Sequence, residues 1–289
     1  MGKLTIWLRE RWISLLTVLV LIAAWEIAGW LAPTSPLRQS PIVPPWEFVL
    51  GPSLLGMSDY WKIQMLAPVP ELGGQQTYLG AFLAMGWHSA LTLYRITLGM
   101  LLGAGAGIGL GLLVARSLTM RRLVAMPLHV LRMMPLLAMI PLFQFWLGTT
   151  NLSAIIFVAY GVGVVYFVGT INAVANVPRR YVDYAQTLGA GELTIYRRII
   201  LPAIQPELFS SMFLTLGLAW SAVIGAEYIG VDSGIGRMII WAEFFSHTGR
   251  MVLVTLFIVI YAVASYAILK RIQARVLAWM PEQQGRNRY

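Results

Sequence analysis

The chain has 289 residues, 58% hydrophobic and only 11% charged, against about 25% charged in an average soluble domain. Its formal net charge of +9 sits in basic residues that flank apolar runs instead of forming a stripe, a pattern of membrane orientation and not of nucleic-acid binding. There is no cysteine, which excludes disulfides, zinc thiolates and cysteine nucleophiles.

A bilayer core about 30 Å thick takes roughly 20 apolar residues per helical crossing. Runs of that length recur without the period-two alternation of a barrel, so helices are expected. The first, Ile13–Leu31, follows Lys3, Arg9 and Arg11. It is longer than a secretory h-region and lacks a small-x-small cleavage site, so it reads as a retained first helix within residues 1–32. Residues 33–86 carry eight of the fifteen prolines: Pro33, Pro36, Pro41, Pro44, Pro45, Pro52, Pro68 and Pro70. That density predicts extended chain with turns and one short helix. This segment is either a plain connector or a contact surface for an external binding protein or partner subunit.

The second span, Ala90–Ala115, places Gly99, Gly103, Gly107 and Gly111 four residues apart, a smooth groove that admits another helix closely. Packing inside one bundle and contact between subunits both fit. Its G-x-G runs follow no strand, so no nucleotide fingerprint is assigned. The third span, Leu123–Leu147, contains Pro127, Pro135 and Pro141, each of which removes a backbone donor and kinks or breaks a helix. Broken helices in membranes are tolerated where they are buried or line a cavity. Arg132 lies among them, where a charge costs about 2.5–3.5 kcal/mol on insertion scales. It either snorkels to the interface or lines an aqueous path that favours anions. Leu152–Ala175, Leu208–Gly230 and Met251–Leu269 complete six proposed spans. Glu26, His88, Arg95 and Glu227 are the other intramembrane polar groups, with Arg95 and Glu227 expected to form a structural ion pair. The three histidines, His88, His129 and His247, show no metal-ligand spacing, and no catalytic Ser/His/Asp arrangement occurs.

Between the fourth and fifth spans lies a polar island, Tyr181–Pro206. Tyr181–Leu188 is predicted as two helical turns stopped by Gly189, with a second helix launched at Gly191–Glu192 and ending before Pro202. Ile195, Ile199 and Ile200 fall on one side of it, with Arg197 and Arg198 beside them. A helix–Gly turn–helix of this kind lies along the membrane surface, either as an interfacial loop or as an element that pushes a short helix into a partner's groove. Fifteen of the twenty-one Lys and Arg residues fall on the side of the termini and this loop, while Arg38, Lys62, Arg237 and Arg250 fall opposite. By the positive-inside rule the termini and the loop are cytoplasmic.

The run Asp183-Tyr-Ala-Gln-Thr-Leu-Gly-Ala-Gly191, continuing to Ile-Ile-Leu-Pro202, resembles the "EAA" loop of bacterial ABC-transporter permeases, of the form E-A-A-x-x-x-G-A followed by L-P. The chain is most similar to the nitrate/sulfonate/taurine/bicarbonate branch. Trp25-Glu26, Val43-Pro44-Pro45, the stretch from Arg132 to Pro141, Trp146-Leu-Gly148, Ala226-Glu227 and Gly234-Ile-Gly236 follow in the expected order. Asp183 stands where the pattern has glutamate, Tyr184 fills the second position, and Gly191 replaces a common serine.

The resemblance implies an all-α, multi-pass protein of the bacterial inner membrane with about six transmembrane helices. The permease core would cover 87–275, with a coupling loop at 181–206 and a cytoplasmic tail at 276–289. It implies an ATP-driven importer subunit moving a small anionic solute of the sulfonate, taurine or nitrate type. Its partners would be an ABC ATPase dimer, a second permease chain (the same or a sister) and a periplasmic solute-binding protein. ATP and Mg would be held by the ATPase, with no cofactor and no catalysis in this chain. Asp183, Ala185, Gly189, Ala190, Arg197, Arg198, Leu201 and Pro202 would couple to the ATPase. Arg132, Pro135, Pro141 and Glu227 would line the path, and Gly99, Gly103, Gly107 and Gly111 would pack helices. An ATP-independent secondary transporter or channel is the alternative.

Overall fold

The computed structural model describes residues 2–33, 41–64 and 66–280; among residues 2–11 and at 125, 128 and 129 only the backbone is described. Pro36, Arg38, Arg286 and Arg288, used above, and the tail from residue 281, lie outside the described residues. So do the side chains of Lys3, Arg9, Arg11 and His129.

Every extended element among the described residues is helical. The chain runs through α1 (Gly2–Leu31), α2 (Tyr78–Ala115), α3 (Leu118–Met133), α4 (Ile140–Leu147), α5 (Asn151–Asn176), α6 (Arg179–Thr187), α7 (Glu192–Ile229), α8 (Ile235–Phe244) and α9 (Thr248–Val276). Among the described residues five helical segments are long and apolar enough to cross a membrane: Trp12–Leu31 and α2, α5, α7 and α9.

The expected third span is not one helix. Met134 (ψ 127°) and Pro135 (ψ 110°) leave the helical region, because the proline ring drives its preceding residue out of it. The remaining apolar stretch, Leu136–Leu147, is too short to cross alone. Pro141 sits in the first turn of α4, where its missing N–H costs nothing. The second span begins at Tyr78, ahead of the expected Ala90. Tyr78–Ser89 has no proline and no charge, and the Thr77 hydroxyl accepts the Gly80 N–H at 3.1 Å to cap it.

The chain forms two compact units. The first holds the described residues up to His88 together with Met238–Phe257. Here Trp46–Phe48, Val49–Ser53, Leu54–Gly56 and Met57–Tyr60 follow without a break, the short helix expected of this proline-rich region. The Trp25 indole donates to Pro44 O at 2.9 Å, and Glu26 accepts from Trp46 N (2.8 Å) and the Trp30 indole (2.7 Å). Val49 and Met57 are fully buried, and Trp61, Ala67, Val69 and Ala84 close a small core.

The second unit holds Ser89–Arg237 and the described residues from Ile258 on. Phe157, Val158, Val162 and Tyr166 of α5 interlock with Ala219, Trp220, Ala222 and Val223 of α7. The glycines of α2 face α5. A Cβ at Gly99 would lie 2.6 Å from Val158, at Gly103 2.5 Å from Ala159 O, at Gly107 2.5 Å from Gly163 O, and at Gly111 2.7 Å from Thr170. Gly105 and Gly109, on the other face, meet nothing within 4 Å. Within this chain the stripe therefore serves packing inside the bundle.

Candidate functional site

The polar island folds as two helices around a left-handed glycine. Gly189 has φ +77°; its N–H donates to Gln186 O (2.9 Å), and Ala190 N–H donates to Ala185 O (3.0 Å). This pair of bonds is the Schellman closure of α6, and it needs the positive φ that glycine adopts without steric penalty. α7 then starts at Glu192. Ala185, Ile195, Ile200 and Ile204 bury themselves with Ala173 of α5, so one face of the island is pinned to the bundle.

The other face is open. Tyr184 is 69% exposed, Leu193 66% and Leu188, at the tip, 88%. Arg197 and Arg198 are exposed, and Asp183 pairs only loosely with Arg179, at 3.9 Å. Glu192 binds Arg116, from the turn after α2, at 2.6 Å. Large apolar side chains standing out of an otherwise polar surface are the mark of an interaction site.

One expectation is overturned here: the second helix does not end before Pro202. It continues through Leu201 and Pro202 to Ile229 as a single helix of 38 residues. A π turn at Tyr196–Ile200 precedes the proline and takes up the register change forced by its missing N–H. Arg197, Arg198, Leu201 and Pro202 therefore sit near the start of a helix long and apolar enough to cross a membrane.

Arg132 lies in the last turn of α3, exposed, just before the break at Met134–Pro135. Along α3, α4 and the turn between them, Met126, Met133, Leu137, Phe145 and Trp146 are all more than half exposed, leaving these helices with little cover from this chain. Glu227 is placed differently from the expectation of a path residue. It is fully buried and binds Arg95, itself fully buried, at 2.5 Å. The Thr92 hydroxyl lies 2.9 Å from both carboxylate oxygens, and Gly236 N–H donates to one of them at 3.0 Å. Arg95 also donates to Asn151 Oδ1 (2.6 and 2.8 Å), Ser233 O (2.6 Å) and Ser233 Oγ (2.6 Å). With its charge neutralised and its oxygens occupied, this carboxylate ties α2, α5, α7 and the loop before α8 together. Thr92, Asn151 and Ser233 were not singled out in the sequence, where short polar residues inside apolar runs carry little signal.

Residues 107–280 match the family described as "Binding-protein-dependent transport system inner membrane component". The chain belongs to this family. It is an ABC-importer permease subunit, a transport component and not an enzyme, and ATP is hydrolysed by a separate ATPase subunit. Among curated relatives the permease is 30% identical to an aliphatic sulfonates transport permease protein, SsuC, of Bacillus subtilis, over 68% of this chain and 72% of that one. It is 27% identical to the taurine transport system permease protein TauC of Escherichia coli, over 96% and 92%. It is 28% identical to the nitrate import permease protein NrtB of Leptolyngbya laminosa, over 74% and 75%. Among solved structures it shares its fold with an inward-facing MetNI methionine ABC transporter chain, at a TM-score of 0.52 and 22% identity, over 65% of this chain and 91% of that one. The family and the apolar helices make it a multi-pass inner-membrane protein.

Proposed function

We propose that the permease couples to its ATPase through the island at 181–206. The observation that carries this is the exposed set of Tyr184, Leu188 and Leu193 around the Gly189 turn, on an element whose opposite face is pinned to α5. Asp183, Arg197 and Arg198 make the polar contacts, while Ala185 and Ala190 hold the turn and Leu201 and Pro202 join it to α7. Because α7 is continuous, closing two ATPases against this surface moves a rod that reaches the far side of the bundle. The termini and the island face the cytoplasm, as the Lys and Arg distribution favours. Exposed α3 and α4 meet a second permease chain, with Arg132, Pro135 and Pro141 toward the path between the two. The solute is a small anion of the sulfonate, taurine or nitrate class, by analogy with the relatives, handed over by a binding protein. ATP and Mg reside in the ATPase dimer.

The test is R197E/R198E in the assembled transporter, measuring ATP hydrolysis and solute uptake together. Uptake is expected to fall while the chain still inserts and the ATPase still turns over. Normal uptake driven by ATP would refute the coupling role.

A further inference from the structure

Within the second unit α7 packs one face into the bundle and leaves the opposite face open. Leu216, Ala219, Trp220 and Val223 lie in the core with Phe157, Val158 and Val162 of α5. On the far side Ala203, Glu207, Ser210, Leu214, Gly217 and Ser221 are all exposed, at alternating intervals of four and three residues that keep them on one line of the helix. A Cβ at Gly217 would meet nothing within 4 Å. The line ends at Gly225, where a Cβ would meet Ile140 at 2.9 Å and Leu137 at 3.1 Å. The open face therefore runs from the island to the turn between α3 and α4.

Its composition does not suit lipid. On α9 Val259, Ile260, Val263 and Ile268 are each more than half exposed, and all are large and apolar. On α7 five of the six open positions are small or polar, and Leu214, 71% exposed, is the one large apolar side chain on the line. The face does not suit a dry seam with a second helix either. Glu207 lies on it, its carboxylate taking long hydrogen bonds from Asn176 Nδ2 at 3.3 and 3.4 Å. A twofold seam along this line would bring two such carboxylates together out of water, and like charges there have no compensating partner. A carboxylate, two hydroxyls and bare glycine backbone on a spanning helix fit a water-filled space.

We infer that this face of α7 is a wall of the solute path and that Leu214 is its narrow point. Ser210 and Gly217 leave room on either side of Leu214, so one isobutyl group interrupts an otherwise wettable surface. An apolar constriction of this kind closes a pore by excluding water until the walls move apart. No cation stands on the line, so this wall selects solutes by width at Leu214 and not by charge. Because Leu214 and the island's second helix belong to one continuous helix, a displacement of the island is carried to the narrow point. The inference rests on the path running beside the α3–α4 turn, but not on the coupling role of the 181–206 island.

The chain has no cysteine, so a single introduced thiol reports on its own position. The variants are Ser210→Cys, Gly217→Cys and Ser221→Cys on the open line, Val259→Cys and Val263→Cys on α9 as lipid-facing controls, and Leu137→Cys on the α3–α4 turn. All six positions are exposed or partly exposed and small changes there should fold. Each variant is assembled with its ATPase in proteoliposomes and treated with the anionic reagent sulfonatoethyl methanethiosulfonate, and labelling of this chain is followed by its mass. Thiols on the α7 line should react at least about tenfold faster than those on α9, because a thiol against lipid stays protonated and the thiolate is the nucleophile. With reagent only on the island's side of the nucleotide-free complex, Ser210→Cys should react about tenfold faster than Ser221→Cys, and adding Leu214→Ala should abolish that difference. Equal rates on α7 and α9 overturn the wall, and so does spontaneous disulfide-linked dimer at Gly217→Cys without reaction with the reagent. Equal rates at Ser210→Cys and Ser221→Cys with Leu214 in place overturn its role as the narrow point. If Leu137→Cys reacts while the α7 line does not, the path beside the α3–α4 turn stands and only the inference falls. Uptake that stays sensitive to R197E/R198E leaves the coupling role standing in every case.

Discussion

Adding one methyl group to α2 should have opposite effects on its two faces. At Gly107 a Cβ would lie 2.5 Å from the backbone oxygen of Gly163 and 2.8 Å from the Tyr166 Cβ, short of ordinary contact by up to about 0.9 Å. Backbone cannot rotate away, so Gly107→Ala forces α2 and α5 apart and costs about 1–3 kcal/mol, the range for overpacking a well-filled core. At Gly105 nothing lies within 4 Å, and alanine gains its helix propensity of about 1 kcal/mol. The two variants, half a turn apart on one helix, should therefore differ by about 2–4 kcal/mol. Reversible unfolding of the isolated chain in mixed micelles, followed by far-UV circular dichroism, measures both. If the two changes are equal, or Gly105→Ala is the worse, the close approach of α2 to α5 through this stripe is wrong.

Glu227→Gln leaves Arg95 buried and charged with only Asn151 and Ser233, and should cost about 3–5 kcal/mol. Adding Arg95→Met should recover a large part of that loss, and a double-mutant cycle giving additive costs would exclude coupling between the two. Gly189→Ala adds no clash but places a Cβ at φ +77°, so it should destabilise the island by about 1–2 kcal/mol. Gly191→Ala, at φ −71°, should be close to neutral, and hydrogen exchange of the amides near the turn tells them apart. His247, with its pKa held below 6.5 by burial, makes the first unit lose stability as pH falls below 6.5, because the unfolded chain takes up the proton first. Tyr60, raised above 10.0 by burial, stays protonated longer in the folded chain, so stability is lost as pH rises past 10.0. Thermal melts should show the acid limb shrinking in His247→Asn and the alkaline limb in Tyr60→Phe; limbs of unchanged size contradict these assignments.

Much of the architecture is written in short-range patterns. Apolar runs mark α1, α5 and α9 because a helix must satisfy its own backbone in lipid, whatever surrounds it. The spacing of Gly99, Gly103, Gly107 and Gly111 marks a face, and Gly189 followed by Ala190 marks a turn, because both depend on residues only a few positions apart. The same local logic misplaced two ends. Tyr78–Gly86 falls within the proline-rich segment 33–86 by position, although it contains no proline and is helical. Pro202 was read as a stop, although a π turn upstream carries the helix through it.

Arg95 and Glu227 are visible in the sequence as costly charges, yet the rest of their network is not. Apart from Gly236, nine residues from Glu227, their partners lie 56 to 138 residues away in the chain, and nothing local distinguishes Asn151 or Ser233 from other small polar residues. Likewise the Asp59–Arg250 pair joins segments far apart in the chain. The sequence by itself determined that this is an all-helical membrane protein with a polar two-helix island on a glycine turn, since those properties follow from local hydropathy and backbone preference. Only the tertiary structure decided which charges neutralise each other, which glycine faces are filled, and that the island's second helix runs on into a single helix of 38 residues, because these depend on which surfaces meet.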